Sequence, residues 1–274
     1  MKLVDAHAHL NVSEFDVDRG QVIKDCLDKG VFVINVGVNY QSSKIAVEIA
    51  QQYETGVWVA IGLHPGNIGR TKKEDAKLDA ICDDGFDKNL FAELAKSDKV
   101  VAVGEIGLDY FSKPKTAKKF EEMKERQITE LKKQIAFARE INLPIIFHCR
   151  MAHNDLIEIL KKEAKDNGAI RGVVHCFTGG VAELEEYLAL GLHIGLTGII
   201  YKMDSDEVIK KIPQNRILLE TDCPWLSPPG LPQRNEPQNV QIIAQYVAQI
   251  RNGPLELLIA SANRNAQELF GLAF

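Results

Sequence analysis

Eight short apolar, largely β-branched runs recur along the chain, and most are followed by a longer stretch with helical spacing of its apolar residues. This alternation limits the fold more than any other feature. The runs cover residues 2–6, 31–36, 57–61, 100–104, 144–147, 172–174, 193–195 and 217–219. Between the first two, Val22, Ile23, Cys26 and Leu27 keep helical spacing until Gly30, a usual helix stop. The stretch 120–141 is long and charged, with Ile128, Leu131, Ile135, Phe137 and Ala138 on one face. Residues 155–164, 183–190 and 255–270 read likewise. Eight strand–helix units in 274 residues predict a (β/α)8 (TIM) barrel, a single domain over residues 1–274. A doubly wound sheet alternates in the same way, but no Gly-x-Gly-x-x-Gly opens a helix after the first run. The connection 69–98 is long and acidic, with Glu74-Asp75 and Asp83-Asp84, and is expected to carry an extra helix on the rim.

In such a barrel, residues at the C-terminal ends of the strands face a common mouth, and catalysis resides there. His7 and His9 follow the first run, two residues apart and so on one face of an extended chain. His64 follows the third run, Glu105 the fourth, His148 the fifth, His175 the sixth and Asp222 the eighth. Five of the seven histidines therefore fall on one rim, where randomly placed core histidines would not gather. Four imidazoles with two carboxylates can hold a pair of divalent ions, and a water bridging such ions is a strong nucleophile at neutral pH. Asp222 is the candidate catalytic base, binding one ion while orienting or deprotonating that water.

Around this set, Arg150 lies two residues beyond His148 and shares its face, where a guanidinium suits a phosphate; it equally suits a salt bridge positioning Asp222 or Glu220. Arg234, His64 and Asp109 are further candidate substrate contacts. Glu220 is read as an outer partner for a ligand or an arginine. His153, opening a helix, and His193, starting a strand at the opposite end, are read as structural. The net charge of −5 argues against coating nucleic acid by bulk charge. Lys113, Lys115, Lys118 and Lys119 with Tyr110 and Phe111, and Tyr201 with Lys202, give either a basic aromatic mouth for a single strand or merely solvated lysines. Five cysteines without Cys-x-x-Cys spacing point to reduced thiols and a cytoplasmic location. There is no membrane-length apolar run, and the first residues do not read as a signal peptide.

Six segments together carry a resemblance: Asp-Ala-His-Ala-His-Leu, Gly-Leu-His-Pro, Val-Gly-Glu-Ile-Gly-Leu-Asp-Tyr, Leu-Pro-Ile-Ile-Phe-His-Cys-Arg, His-Cys-Phe-Thr-Gly and Leu-Leu-Glu-Thr-Asp-Cys-Pro-Trp-Leu. In this order they resemble the successive signatures of the TatD family of metal-dependent hydrolases, and Asn263 and Leu269-Phe270-Gly271 also fit. The resemblance implies a (β/α)8-barrel deoxyribonuclease of the amidohydrolase superfamily. By motif, one ion would fall to His7, His9, Glu105 and Asp222, and the other to Glu105, His148 and His175, with Glu105 as the bridge. Ala8, where cysteine is frequent, and Thr178, where serine is commoner, depart from the pattern without touching a ligand. The expectation is a DNA phosphodiesterase acting on single-stranded ends, attacking through a hydroxide between two divalent ions. Ligand softness favours zinc, whereas the family implies magnesium or manganese. No membrane and no obligate protein partner are expected. The same ligands would also serve an amidohydrolase acting on a lactone, cyclic amide or aminoacyl-tRNA, with an enclosed apolar pocket as its mark, or a metal-storing scaffold that has lost activity.

Overall fold

The computed structural model describes residues 2–68 and 85–274. Its strands are β1 (Leu3–Ala8), β2 (Val31–Val36), β3 (Val57–Ile61), β4 (Val100–Asp109), β5 (Ile145–Arg150), β6 (Gly172–Val174), β7 (His193–Leu196) and β8 (Ile217–Leu219). All pair in parallel in the order β1 to β8. The helices are α1 (Arg19–Asp28), α2 (Tyr40–Ala50), α3 (Lys88–Leu94), α4 (Ala117–Glu140), α5 (His153–Asn167), α6 (Val181–Ala189), α7 (Asp206–Lys211), α8 (Val240–Ile250) and α9 (Leu255–Phe270). This is the (β/α)8 barrel that the alternation predicts. The described part of the 69–98 connection holds α3, the ordinary β3–β4 crossover helix; residues 69–84 lie outside the described residues, so the expected extra helix has no counterpart to compare.

The last gap in the barrel, between β1 and β8, is closed by a seam just past β8. Thr221 donates its N–H to Asp5 Oδ1 at 2.8 Å, across 216 residues of chain. Asp222 N–H donates to the His7 carbonyl at 2.9 Å and His9 N–H to the Cys223 carbonyl at 2.8 Å, while Ala8 bridges Cys223. From α9, Asn263 accepts the Val4 N–H and donates to the Lys2 carbonyl, latching the chain's far end onto β1.

Side-chain parity along the strands sorts the core into two. Val4, Ala6, Ile34, Ala60, Ala102, Ile146, Val173 and Leu218 pack together inside the barrel, while Leu3, Val33, Val59, Ile145, Val174 and Leu219 pack outward under the helices. Strict alternation would put His7 and Glu105 on the outward face with Leu3 and Val103. Register shifts in β1 between Asp5 and Ala8, and in β4 between Val103 and Ile106, reverse the parity there. Beyond them His7, His9 and Glu105 turn inward, and Ala8, Ile106 and Leu108 turn outward into the helix layer.

Candidate active site

Three strands run two or more residues beyond their apolar runs. β1 continues to Ala8, β4 to Asp109 and β5 to Arg150, so His7, Glu105 and His148 lie within ladders rather than after them. Gly107 pairs with His148 and Asp109 with Arg150. Several strands leave the rim through residues in left-handed conformations: Met151 (φ 56°) after β5, Cys176 (φ 46°) after β6 and Asp222 (φ 56°) after β8. After β5 and β6 these turns leave Arg150 and His175 facing the mouth, and after β8 Asp222 itself faces it.

The sequence-predicted ligands meet there. His7 Nε2 lies 3.0 Å from His9 Nε2, 3.4 Å from Glu105 Oε2 and 3.9 Å from Asp222 Oδ1. His9 Nε2 is 3.4 Å from Asp222 Oδ1. His175 Nε2 is 3.9 Å from Glu105 Oε1 and 3.8 Å from Asp222 Oδ1, and His148 Nδ1 is 2.6 Å from Glu105 Oε1. Compact groups with metal-ligating reach are His7–Glu105–His175, His7–His9–Asp222, His64–Glu105–His148 and His175–Cys176–Asp222. Glu105 belongs to two of them, and among the described residues no group joins His148 with His175. Buried nitrogen lone pairs facing one another and two carboxylates form a donor set that fits divalent cations.

Three histidines are oriented from outside, as ligating imidazoles usually are. His9 Nδ1 meets the Val36 carbonyl at 2.9 Å, His175 Nδ1 meets Glu220 Oε2 at 2.9 Å, and His148 Nε2 meets Asp109 Oδ2 at 3.1 Å. Each leaves its other nitrogen for the centre. His64 differs. Its Nδ1 accepts the Gly66 N–H at 2.9 Å, so in the neutral ring the proton sits on Nε2, 3.7 Å from Glu105 Oε1. In that form His64 is a hydrogen-bond donor into the pocket.

Electrostatics follow from burial and proximity. Burial, then the neighbouring His148 charge, lowers His64 to about 3; burial, then the charge on His175, lowers His7 to about 4. Burial also pushes His148 down, but Glu105 and Asp109 outweigh it and raise it to about 9. Against the same burial, Glu220 and Glu105 raise His175 to about 9. Burial pushes Glu105 up, yet His64, His148 and His7 hold it well below the usual carboxylate range; for Asp222, the His9 hydrogen bond and the charge on His175 likewise prevail. Without metal, two carboxylates thus face two protonated rings, and binding a cation releases those protons.

The pocket over this centre has a volume of about 500 Å³ and is also lined by Asn67, Asp109, Arg150, Cys176, Thr178 and Trp225. Arg150 makes no ion pair among the described residues; its guanidinium lies 3.6 Å from the centroid of the exposed Phe111 ring. Arg234 is not brought into this pocket. It grips Asp18 through two hydrogen bonds of 2.8 and 2.7 Å and Glu236 through one of 3.0 Å, and it lines the neighbouring groove. Lys113, Lys115, Lys118 and Lys119 line neither space, and Lys113 sits over Phe120. His153 meets Tyr187 Oη at 3.0 Å and His193 starts β7, the structural places read from sequence. Sequence reasoning passed over Cys176 and Trp225 as pocket residues; both stand one to three positions from a ligand, in His-Cys-Phe and Asp-Cys-Pro-Trp.

The profile of the family described as TatD related DNase matches residues 4–271. The chain is 36% identical over 283 residues to the 3'-5' ssDNA/RNA exonuclease TatD of Erwinia amylovora, covering 98% of this chain and 100% of that protein. It is 34% identical over 275 residues to the uncharacterised metal-dependent hydrolase YabD of Bacillus subtilis, covering 98% of each. Its fold matches the crystal structure of YJJV, a TatD homologue from Escherichia coli K12, with a TM-score of 0.81 and 27% identity over 99% of this chain and 98% of that one. With a matching sequence profile, barrel and rim, the chain belongs to the TatD family of metal-dependent hydrolases.

Proposed function

We propose that this protein is a two-metal phosphodiesterase that removes nucleotides from single-stranded DNA ends. The observation that carries the reading is the convergence of ionised Glu105 and Asp222 with four imidazoles beneath a mouth where Arg150 has no acidic partner. Divalent ions held there, zinc, magnesium or manganese, would supply charge neutralisation at phosphorus and a hydroxide nucleophile at neutral pH. His7, His9, Glu105 and Asp222 would hold one ion, and Glu105, His148 and His175 the other. Asp222 takes the proton from the attacking water. Arg150 and the Nε2–H of His64 hold the phosphate oxygens, and Asp109 fixes the His148 ring. The E. amylovora relative, named a 3'-5' exonuclease on ssDNA and RNA, supports both the substrate class and the attack on an end. A pocket that shares a wall with a larger open groove supports a polymer over a small cyclic ester or amide.

Among the described residues no helix is long and apolar enough to cross a membrane. Free cysteines at 26, 149, 176 and 223 support a reducing, cytoplasmic setting. The test is incubation of metal-loaded protein with 5'-labelled single-stranded DNA. Progressive shortening that Asp222→Asn abolishes is expected; an intact substrate under magnesium, manganese and zinc alike would sink the reading.

A further inference from the structure

Beside the metal pocket lies a second, larger space whose lining residues have been given no role in the hydrolysis. Its volume is about 940 Å³, and Trp225 and Leu226 line both spaces. The segment 224–234 forms much of its wall and carries Pro224, Pro228, Pro229 and Pro232, which stiffen it before any ligand arrives. The wall is also pinned. Asn235 donates its backbone N–H to the Pro224 carbonyl and its side-chain amide to the Thr221 and Trp225 carbonyls, at 2.8–3.1 Å. The Leu226 carbonyl comes so close to Gly198 that a Cβ there would sit 1.9 Å from it, so only glycine admits this approach.

The chemistry of the lining points to one kind of occupant. Trp225 is 48% exposed, with its ring edge-on to His9 at 5.2 Å between centroids, so an aromatic face stands at the border of the metal centre. Lys202 lines the same groove and makes no ion pair among the described residues. The other cation of the groove, Arg234, is already neutralised by Asp18 and Glu236. Glu14, on the lining as well, disfavours a phosphate at its own position and leaves the Lys202 side for the backbone. On the β4–β5 side of the metal pocket, the exposed Phe111 ring stacks one face against the Arg150 guanidinium.

We propose that this groove binds the single-stranded nucleotides adjoining the scissile phosphodiester, with a base stacked on Trp225 and a phosphate on Lys202. The inference rests on the nuclease reading above and adds to it a site outside the metal pocket. A duplex keeps its base faces stacked and cannot offer one to Trp225, so the groove selects single strands.

Tryptophan fluorescence tests this directly. The chain has two tryptophans, and Trp58 is buried inside the barrel, so quenching by a nucleic acid reports Trp225. Metal-free protein is titrated with a deoxythymidine dimer, a deoxythymidine ten-mer and a ten-base-pair duplex. The ten-mer is expected to quench and to bind about tenfold or more tighter than the dimer, as one added stacked base and phosphate contact require. Lys202→Glu is expected to remove most of that advantage, and Trp225→Phe to remove the signal. Equal affinity for dimer and ten-mer, ten-mer binding unmoved by Lys202→Glu, or equal quenching by the duplex overturns the groove. The two readings fail separately. If metal-loaded wild-type protein cleaves neither oligomer, the nuclease reading falls; if it cleaves both with the same kcat/KM, only the groove does.

Discussion

Glu220 offers the sharpest test of how the metal centre is built. It is fully buried, and its Oε2 accepts both the His175 Nδ1–H at 2.9 Å and the Cys176 N–H at 3.1 Å. Glu220→Gln keeps a carbonyl oxygen for those two bonds and removes the negative charge. The new amide NH2 falls where Oε1 has no hydrogen-bond partner, which costs about 1–3 kcal/mol of apo stability. Loss of a charged outer partner weakens metal binding about 10–100-fold, or about 1.4–2.7 kcal/mol. The same carboxylate helps His175 keep its proton up to about 9, so part of the loss is hidden at neutral pH by weaker proton competition. The titration is therefore made at pH 9, with zinc buffered by a competing chelator. Gly195→Ala provides an independent route, because its Cβ would lie 2.2 Å from both Glu220 oxygens and must push the carboxylate off His175. If both variants fold and bind zinc within twofold of wild type, Glu220 merely fills a buried polar position and the argument is wrong.

Removing metal should matter for stability as well as for turnover. Saturation at a thousand times Kd stabilises by about 4 kcal/mol, so chelation should lower Tm by about 10 °C in a scanning calorimeter; an unchanged Tm would mean that no ion is bound tightly. His193, buried beside the Arg216 charge, is lowered to about 4, so the native state resists a proton that the unfolded chain accepts near 6.5. Its contribution is present above 6.5 and lost as pH falls toward 4, about 3 kcal/mol in all, and His193→Gln should flatten that part of the urea-derived stability curve. An acid limb equally steep in the variant would assign it to other groups. Arg234→Ala should cost stability, about 1 kcal/mol for a partly exposed ion-pair network, and leave KM for single-stranded DNA unmoved; a raised KM with unchanged stability would instead put Arg234 on the substrate.

The barrel was legible because parallel strands covered by helices read as continuous apolar runs, and each rim residue could then be placed from the run before it. Legibility stopped where polarity began. His7 in β1, and Glu105 and Asp109 in β4, are strand residues that lie beyond the apolar runs and that composition assigns to loops. The two register shifts were invisible for a related reason. Alternation over four or five residues cannot show a parity change that occurs among the polar ones, although without it His7 and Glu105 would face the helices. The role of His64 depends on a backbone N–H two residues on, and the capture of Arg234 by Asp18 joins residues 216 apart. Neither leaves a local pattern. By contrast, Glu220 could be singled out as a partner because it shares strand parity with Asp222, whereas Asp109, read as a substrate contact, meets His148.

The seam between β1 and the segment after β8 has a consequence for synthesis of the chain. His7 and His9 emerge from a ribosome some two hundred residues before Asp222. Until that segment docks, the His7 carbonyl lacks the Asp222 N–H and the two imidazoles lack the carboxylate between which they would hold an ion. A nascent or truncated chain can therefore offer only scattered, weak ligands. Tight uptake of metal becomes a signature of topological completion, and a half-made barrel is kept from hydrolysis by the order in which β1 and the segment after β8 appear.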